Sequence, residues 1–144
     1  MWTATSLSTG RPPQGVRPVR TGTVVHMRAK DGVGAYGERV AERFLVDCGM
    51  VVLERNWRCR FGELDLIAQD GRVLVVCEVK TRSSTAYGDP AEAVIGMKAV
   101  RLRRLAERWR AEHRGSWSEL RIDVVCVLRR RQGAAEVRHL KAVA

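Results

Sequence analysis

Hydrophobic and polar residues alternate along residues 60–82 with the period of two that is typical of a half-buried β-strand. The pattern is broken at Asp70-Gly71, and residues 74–77 are apolar on both faces, as in a strand covered on both sides. An Asp-Gly pair between two apolar runs is a strong signal for a β-hairpin, because glycine readily adopts the backbone conformation that a tight turn requires. The pattern therefore predicts a hairpin at the middle of the folded region.

Apolar residues on either side of this hairpin recur at helical or strand spacing. They predict a first helix at residues 34–48, a strand at 50–59, a second helix at 91–113, a strand at 120–128 and a short final strand through Val137. Residues 83–90 read as a polar loop. The predicted fold class is α/β, with a mixed central β-sheet flanked by helices in the order α-β-β-β-α-β-β.

Residues 1–30 differ in composition from the rest of the chain. They contain five Lys and Arg residues and no Asp or Glu, and they are rich in Ser, Thr, Pro and Gly. We expect a disordered basic tail at 1–30 and a single domain at 31–144. No apolar run is long enough for a signal peptide or a membrane span, so a cytoplasmic protein without a membrane partner is expected.

The charge balance favours a polyanionic partner. The chain has 26 Lys and Arg residues against 16 Asp and Glu residues, for a formal net charge of +10. Nucleic acid is the partner that such a balance indicates, although many basic proteins bind it without sequence preference.

The hairpin carries a group of acidic residues whose placement depends on the strand register. If Gln69 pairs with Arg72 across a two-residue loop, Glu63 lies opposite Glu78 and Asp65 lies diagonal to Glu78. Because side chains alternate, these acids are then predicted to share one face of the sheet. Like charges so close together destabilise a sheet unless a cation compensates them.

Asp65 and Glu78 offer the oxygen ligands that Mg²⁺ or Mn²⁺ prefers. Lys80 follows Glu78 at strand spacing and points to the same place, where its ammonium group can orient water or stabilise charge on a phosphate. The alternative is a hairpin with a solvated face on which the acids pair with neighbouring basic residues.

Three segments of this region carry a resemblance to a known family. They are Asn56-Trp57-Arg58, Gly62-Glu63-Leu64-Asp65-Leu66-Ile67 and Glu78-Val79-Lys80-Thr81-Arg82. They look like the successive motifs of the YraN-like family of small bacterial proteins, whose function is largely uncharacterised. That family is similar to the Holliday-junction resolvases and to the wider group of restriction-endonuclease-like nucleases. The resemblance covers residues 34–140, and Cys77 and Ile122 depart from the usual pattern without touching the acidic group.

The resemblance implies a restriction-endonuclease-like core and a metal-dependent DNA endonuclease, with branched or structured DNA as a substrate. Catalytic roles then fall on Asp65, Glu78 and Lys80, and Glu38 on the first helix is implied as a further ligand of Mg²⁺ or Mn²⁺. The alternative function is a non-catalytic nucleic-acid-binding module that retains the nuclease fold.

Basic residues near these motifs are candidates for contact with phosphates. They are Arg58, Arg60, Arg82, Lys98, Arg101, Arg104 and Arg108, the last four along one face of the second predicted helix. The alternative for these four is a solvated helix face tied by ion pairs. The predicted partners are DNA, duplex or branched, and a second copy of the chain in a homodimer.

Four cysteines, at positions 48, 59, 77 and 126, show no spacing typical of a zinc site or a disulfide framework. We expect buried, reduced thiols. Trp57 is expected in the core, and Asp123 is expected to be a structural partner of a neighbouring arginine rather than a metal ligand.

Overall fold

The computed structural model of the protein describes residues 31–83 and 96–144. In chain order its elements are α1 (Asp31–Asp47), β1 (Val51–Cys59), β2 (Gly62–Asp70), β3 (Val73–Arg82), α2 (Met97–Glu112), β4 (Glu119–Leu128) and β5 (Glu136–Leu140). This order confirms the predicted α/β class. The predictions for residues 1–30 and for most of the loop at 83–90 lie outside the described residues.

The five strands form one mixed sheet in the order β1-β2-β3-β4-β5. β3 and β4 pair in parallel, and the other neighbours pair antiparallel. The parallel pair requires a crossover connection, and α2 lies within that connection. β3 is the centre of the sheet, as expected for a strand whose residues 74–77 are all buried.

The two helices cover opposite faces of the sheet, each over its own apolar cluster. Ala41 and Leu45 of α1 pack with residues such as Leu66 and Val75. On the other face, α2 contributes Leu102, Leu105, Ala106 and Trp109, the apolar stripe that its sequence predicts. Trp57 packs against this second cluster, as expected. No helix in the described part of the chain is long and apolar enough to cross a membrane.

The hairpin forms between β2 and β3, but its predicted register is wrong by two residues. Asp70 pairs with Val73, so the loop is Gly71-Arg72 instead of Asp70-Gly71. Gly71 has a positive φ of 59°, and among the described non-glycine residues only Asn56 and Ala142 have one. A type I′ turn with Asp-Gly at its centre needs positive φ at both central residues, whereas here glycine takes the first central position. Continued along the strands, the observed register places Asp65 opposite Glu78.

α2 begins at Met97, directly after Gly96, whose φ of 58° a helix does not accommodate. The predicted helix residues 91–95 lie outside the described residues. The expectation of buried thiols needs correction. The thiols are free, but only that of Cys77 is buried, while Cys48 is exposed after the end of α1. Apolar neighbours in sequence do not reveal that Cys48 lies in a turn.

Candidate active site

An open cleft of about 920 Å³ lies where β2 and β3 separate at one end of their pairing. The two strands, the β1–β2 connection, α1 and α2 all contribute to its wall. The lining includes Glu38, Arg58, Arg60, Glu63, Asp65, Glu78, Lys80, Arg82, Lys98 and Arg101. The cleft therefore collects all three predicted catalytic residues, the additional acid of α1 and five of the seven predicted nucleic-acid contacts.

Asp65 marks the point at which the regular ladder ends. The last backbone pair between β2 and β3 is Leu66 with Cys77, and beyond it Asp65 Oδ2 accepts a hydrogen bond from the Val79 N–H at 2.9 Å. A side-chain oxygen thus replaces a backbone acceptor, which keeps the buried N–H satisfied while the strands diverge.

The side-chain alternation of β2 also changes at Asp65. Leu64 packs in the cluster under α2, whereas Leu66 packs in the cluster under α1. On β1, Asn56 lies between the partners of these two residues and has a φ of 49°. Asn tolerates this left-handed conformation better than most residues. Because alternation fails here, alternation alone does not place Glu63 on the face of Glu78, but Glu63 lines the same cleft as Asp65, Glu78 and Lys80.

The electrostatic environment of Asp65 opposes its ionisation. Burial is the largest cause, and the neighbouring charge of Glu78 adds to it, with smaller contributions from Glu38 and Glu63. The hydrogen bond from Val79 offsets only part of this, so the pKa of Asp65 is raised to about 7.

Glu78 has a different electrostatic environment from Asp65, because two lysine ammonium groups contact it. Its Oε1 lies 2.8 Å from Lys98 Nζ and 3.1 Å from Lys80 Nζ, and its side chain is only 12% exposed. Burial raises the pKa of Glu78, but the two lysines outweigh burial and lower it below the ordinary value. Glu78 is therefore ionised at neutral pH and holds Lys80 in the cleft.

Glu38 reaches the cleft because α1 approaches β3 closely at the preceding residue. A Cβ on Gly37 would lie 1.7 Å from Thr81 Oγ1, so only glycine permits this distance between helix and strand. Glu38 lines the cleft and its charge acts on Asp65. The structure thus places the predicted metal ligand of α1 beside the acids of the hairpin.

The basic residues near the hairpin occupy different positions. Arg58 Nε pairs with Glu63 Oε2 at 3.0 Å, with both side chains more than a third exposed. The Arg60 guanidinium lies 5.0 Å from the centre of the Phe61 ring. Arg82 Nη1 donates to the Thr81 carbonyl at 3.4 Å. All three arginines line the cleft.

The predicted cationic face of α2 is divided. Lys98 turns to Glu78, whereas Arg101, Arg104 and Arg108 are exposed along the helix. Arg108 also makes an i,i+4 ion pair with Glu112, at 3.3 Å. The three arginines line a second groove next to the cleft.

The donor set in the cleft suits a hard divalent cation, since Glu38, Asp65 and Glu78 offer carboxylate oxygens. The raised pKa of Asp65 indicates negative charge that a cation would relieve. Among the described residues, the group of three ligand atoms within 4.8 Å of one another is instead Cys77, Asp123 and His139. Glu38, Asp65 and Glu78 do not form such a group, so a cation shared by all three requires their carboxylates to move closer together.

The group around Asp123 is a hydrogen-bond network. Arg121 contacts both carboxylate oxygens, at 2.9 and 3.1 Å, His139 Nε2 lies 2.8 Å from Oδ2, and the Ala142 N–H donates to Oδ1 at 2.9 Å. The guanidinium beside the carboxylate disfavours a cation there. Asp123 is a structural partner of an arginine, in agreement with the expectation from sequence.

Sequence reasoning missed three exposed apolar side chains beside the cleft, those of Phe61, Met97 and Val100. Phe61 could have been noticed as an aromatic residue in a polar, basic connection between two strands. Met97 and Val100 gave no such signal, because each is compatible with the apolar face of a helix.

The chain was compared with known proteins. A family model described as uncharacterised protein family UPF0102 matches residues 37–127. A UPF0102 protein of Beutenbergia cavernae is 64% identical over 81% of this chain and 99% of its own length. One from Frankia casuarinae is 57% identical over 80% of this chain and 98% of its own length. One from Streptomyces coelicolor is 52% identical over 88% of this chain and 98% of its own length.

The chain therefore belongs to the UPF0102 family, the YraN-like family that its motifs indicate.

Proposed function

We propose that this protein is a metal-dependent endonuclease that hydrolyses phosphodiester bonds in DNA, with Mg²⁺ or Mn²⁺ as its cofactor. One observation carries the proposal: Asp65, whose ionisation is opposed by burial and by the charge of Glu78, meets Glu78 and Lys80 in an open cleft lined by arginines. Strongly perturbed acids in a cleft are typical of functional sites. In a structural ion-pair cluster, neighbouring cations would lower the pKa of Asp65. Here the pKa of Asp65 is instead raised to about 7.

The acids and the lysine have different roles in this proposal. Asp65, Glu78 and Glu38 hold the cation, which when bound supplies positive charge against the scissile phosphate. Lys80, positioned by Glu78 at 3.1 Å, orients the attacking water or neutralises charge that develops on the phosphate oxygens. The water oxygen bonds to phosphorus as the ester bond breaks; the attacking water releases one proton to solvent, and the leaving oxygen takes one up from solvent.

The arginines of the cleft and of α2 supply the sequence-independent part of DNA binding. Contacts between guanidinium groups and phosphates position a strand without reading its bases. Arg58, Arg60 and Arg82 lie on the strand side of the cleft, and Arg101 lies on the helix side. A backbone that crosses the cleft between these two sides would pass over Asp65.

Cleavage assays with a Lys80→Ala variant test the proposal. Labelled duplex, single-stranded, flap and four-way-junction DNA would be incubated with purified protein in Mg²⁺ or Mn²⁺. We expect the wild-type protein to cut at least one substrate, and Lys80→Ala to lose cleavage while retaining most DNA binding. Lys141→Ala is the matched control, because Lys141 is an exposed lysine outside the cleft.

A second candidate function is a DNA-binding module that does not cut. The observation that favours it is the pairing of Glu78 with both lysines, which balances this acid without a metal. Equal binding and no cleavage by wild type and Lys80→Ala would support the module. Cleavage that persists in Lys80→Ala would contradict the role assigned to Lys80 and indicate another active site or a contaminant.

A further inference from the structure

The large exposed hydrophobic side chains in residues 31–83 and 96–144 are gathered in one place. Phe61 is 54% exposed, Met97 81% and Val100 44%, and these are the three that the described part of the chain contains. All three line a single groove of about 790 Å³ on the outer side of α2. A concentration of exposed apolar surface in one groove is typical of a binding site rather than of scattered surface residues.

The groove combines this apolar surface with positive charge. Its remaining described lining residues are Lys98, Arg101, Arg104, Leu105 and Arg108, and none of the lining residues that the structure describes is acidic. Arg60 and Arg108 lie 5.0 and 4.8 Å from the centre of the Phe61 ring. Unstacked bases bind on aromatic rings and on guanidinium planes, so a base here can stack on the exposed part of the Phe61 ring or on a guanidinium that lies over it, with the other arginines placed for the adjoining phosphates.

Phe61 is presented at a rigid position. It occupies the two-residue connection between β1 and β2, where Cys59 pairs with Gly62. The Phe61 N–H also contacts Cys59 Sγ at 3.4 Å. The ring therefore projects from the tip of a tight hairpin, so little conformational freedom is lost when a ligand stacks on it.

The groove is continuous with the acidic cleft, because Phe61, Lys98 and Arg101 line both. Lys98 also contacts Glu78 at 2.8 Å. A nucleic-acid strand with one phosphate in the cleft would place a neighbouring nucleotide in the groove.

We propose that this groove binds an unpaired base of a DNA strand next to the phosphate held in the cleft. The inference rests on the proposed function and specifies its substrate class: DNA with unpaired nucleotides beside the point of cleavage. In an intact duplex the faces of the bases are stacked on one another, so Phe61, Met97 and Val100 would have no apolar surface to contact. Single strands and flaps offer such a surface.

Positive charge on the groove favours this occupant over a second copy of the chain. Two copies that met through the same face would bring Arg101, Arg104 and Arg108 of one against those of the other. A DNA strand instead supplies apolar base faces and phosphates together, and so complements both parts of the groove.

Fluorescence anisotropy in EDTA tests the inference without cleavage. The probes are a labelled single strand without self-complementarity and the blunt duplex of the same sequence. We expect Phe61→Ala to weaken single-strand binding by about 10-fold, which corresponds to the loss of one stacked base. Duplex binding should change by less than about two-fold. Phe61→Tyr should restore single-strand affinity and Phe61→Leu should not, because stacking needs an aromatic ring.

A double variant of two arginines separates stacking from charge. The double variant Arg101→Gln, Arg104→Gln should weaken single-strand and duplex binding alike and reduce the salt dependence of both, because arginines bind phosphates. Thermal melting of each variant checks folding, which the exposure of Phe61 predicts to be intact.

An equal loss of single-strand and duplex affinity in Phe61→Ala, or no loss in either, would overturn the inference. So would unchanged DNA binding together with a shift from dimer to monomer in sedimentation, which would assign the groove to a second copy. Because binding is measured without metal, a protein that never cuts DNA can still satisfy the test. A protein that cuts can fail it.

Discussion

Two aspartates on strands of the same sheet, Asp65 and Asp123, are shielded from water and have opposite electrostatic environments. Asp123 is fully buried and has four hydrogen-bond contacts, from Arg121, His139 and the Ala142 N–H. Burial raises its pKa, but these partners outweigh burial and lower it. Asp65 accepts a hydrogen bond from the Val79 N–H and has acidic neighbours, and its pKa is raised to about 7.

Under the proposed function, the difference is the one expected between a structural carboxylate and a metal-binding one. Buried polar groups are normally satisfied, because an unsatisfied charge is costly. Asp123 follows this rule and connects β4 with β5 and the C-terminal residues. Asp65 follows this rule only in part. Its surroundings raise its pKa, so the ionised carboxylate does not stabilise the metal-free protein. Substitution of each aspartate tests this contrast.

Removal of the satisfied carboxylate should have the largest effect. We expect Asp123→Ala to lower the free energy of unfolding by about 3–5 kcal/mol, because it leaves the charge of Arg121 without its buried partner. Urea denaturation followed by circular dichroism measures this. Asp70→Ala is the matched control, because Asp70 is the other carboxylate on Arg121, at 3.2 Å, but is 39% exposed. It should cost less than about 1 kcal/mol. Similar losses in both variants would remove the distinction.

Replacement of Asp65 by a neutral residue should have the opposite effect and raise the free energy of unfolding. A pKa raised from 3.8 to about 7 means that the folded protein binds this proton more tightly than the unfolded chain does. The carboxylate therefore destabilises the metal-free fold fully above about pH 7 and not at all well below pH 4. At pH 8, Asp65→Asn should raise the free energy of unfolding by about 2–4 kcal/mol, since one pKa unit is worth about 1.4 kcal/mol.

The pH dependence of unfolding sharpens the same contrast. In metal-free wild-type protein, the Asp65 contribution makes stability fall as pH rises from 4 to 7, and Asp65→Asn should abolish this component. Asp123 has a lowered pKa, so its stabilisation is present above the unfolded-state value of about 3.8 and is lost as pH falls through the folded-state value. A wild-type curve identical to that of Asp65→Asn between pH 4 and 7 would contradict the assignment.

Most of the fold could be predicted from sequence, because its elements depend on local patterns. The apolar stripe of α2 and the Asp-Gly hairpin are examples. The shift of two residues in register could not be predicted, since Asp70-Gly71 is compatible with either turn position and the backbone of Gly71 decides between them. A register shift of two residues does not change which side chains of a strand share a face. The predicted set of residues that line the site is therefore still correct in part.

The candidate site was less accessible to sequence reasoning than the fold. Motif residues indicated which acids to consider, but the environment of Asp65 depends on where β2 leaves β3 and on the conformation of Asn56. Likewise, Lys98 appeared to belong to the arginine face of α2, whereas it contacts Glu78 of β3, 20 positions away in sequence. Long-range contacts of this kind have no local pattern.

A smaller effect is expected where α1 meets the site. Gly37→Ala would place a methyl group against Thr81 and displace α1, with a cost of about 1–3 kcal/mol. Metal affinity should also decrease, because Glu38 follows directly. Gly32→Ala is the control on the same helix, since nothing lies within 4 Å of a Cβ there. It should be neutral or slightly stabilising. Thr81→Ala in the Gly37→Ala background should recover part of the loss, and additive costs would contradict the contact.

The smallest predicted effect compares the two carboxylates as metal ligands. At pH 8, Mn²⁺ at ten times its dissociation constant should stabilise wild-type protein by about 1.4 kcal/mol, because a ligand that binds only the folded state shifts unfolding by mass action. The gain should vanish in Asp65→Asn and persist in His139→Gln, which changes the Cys77, Asp123 and His139 group instead. It should also shrink at pH 5, where a proton on Asp65, with its pKa of about 7, competes with the cation. If Mn²⁺ stabilised Asp65→Asn but not His139→Gln, the metal site would lie at Asp123, and the roles assigned to the two carboxylates would be reversed.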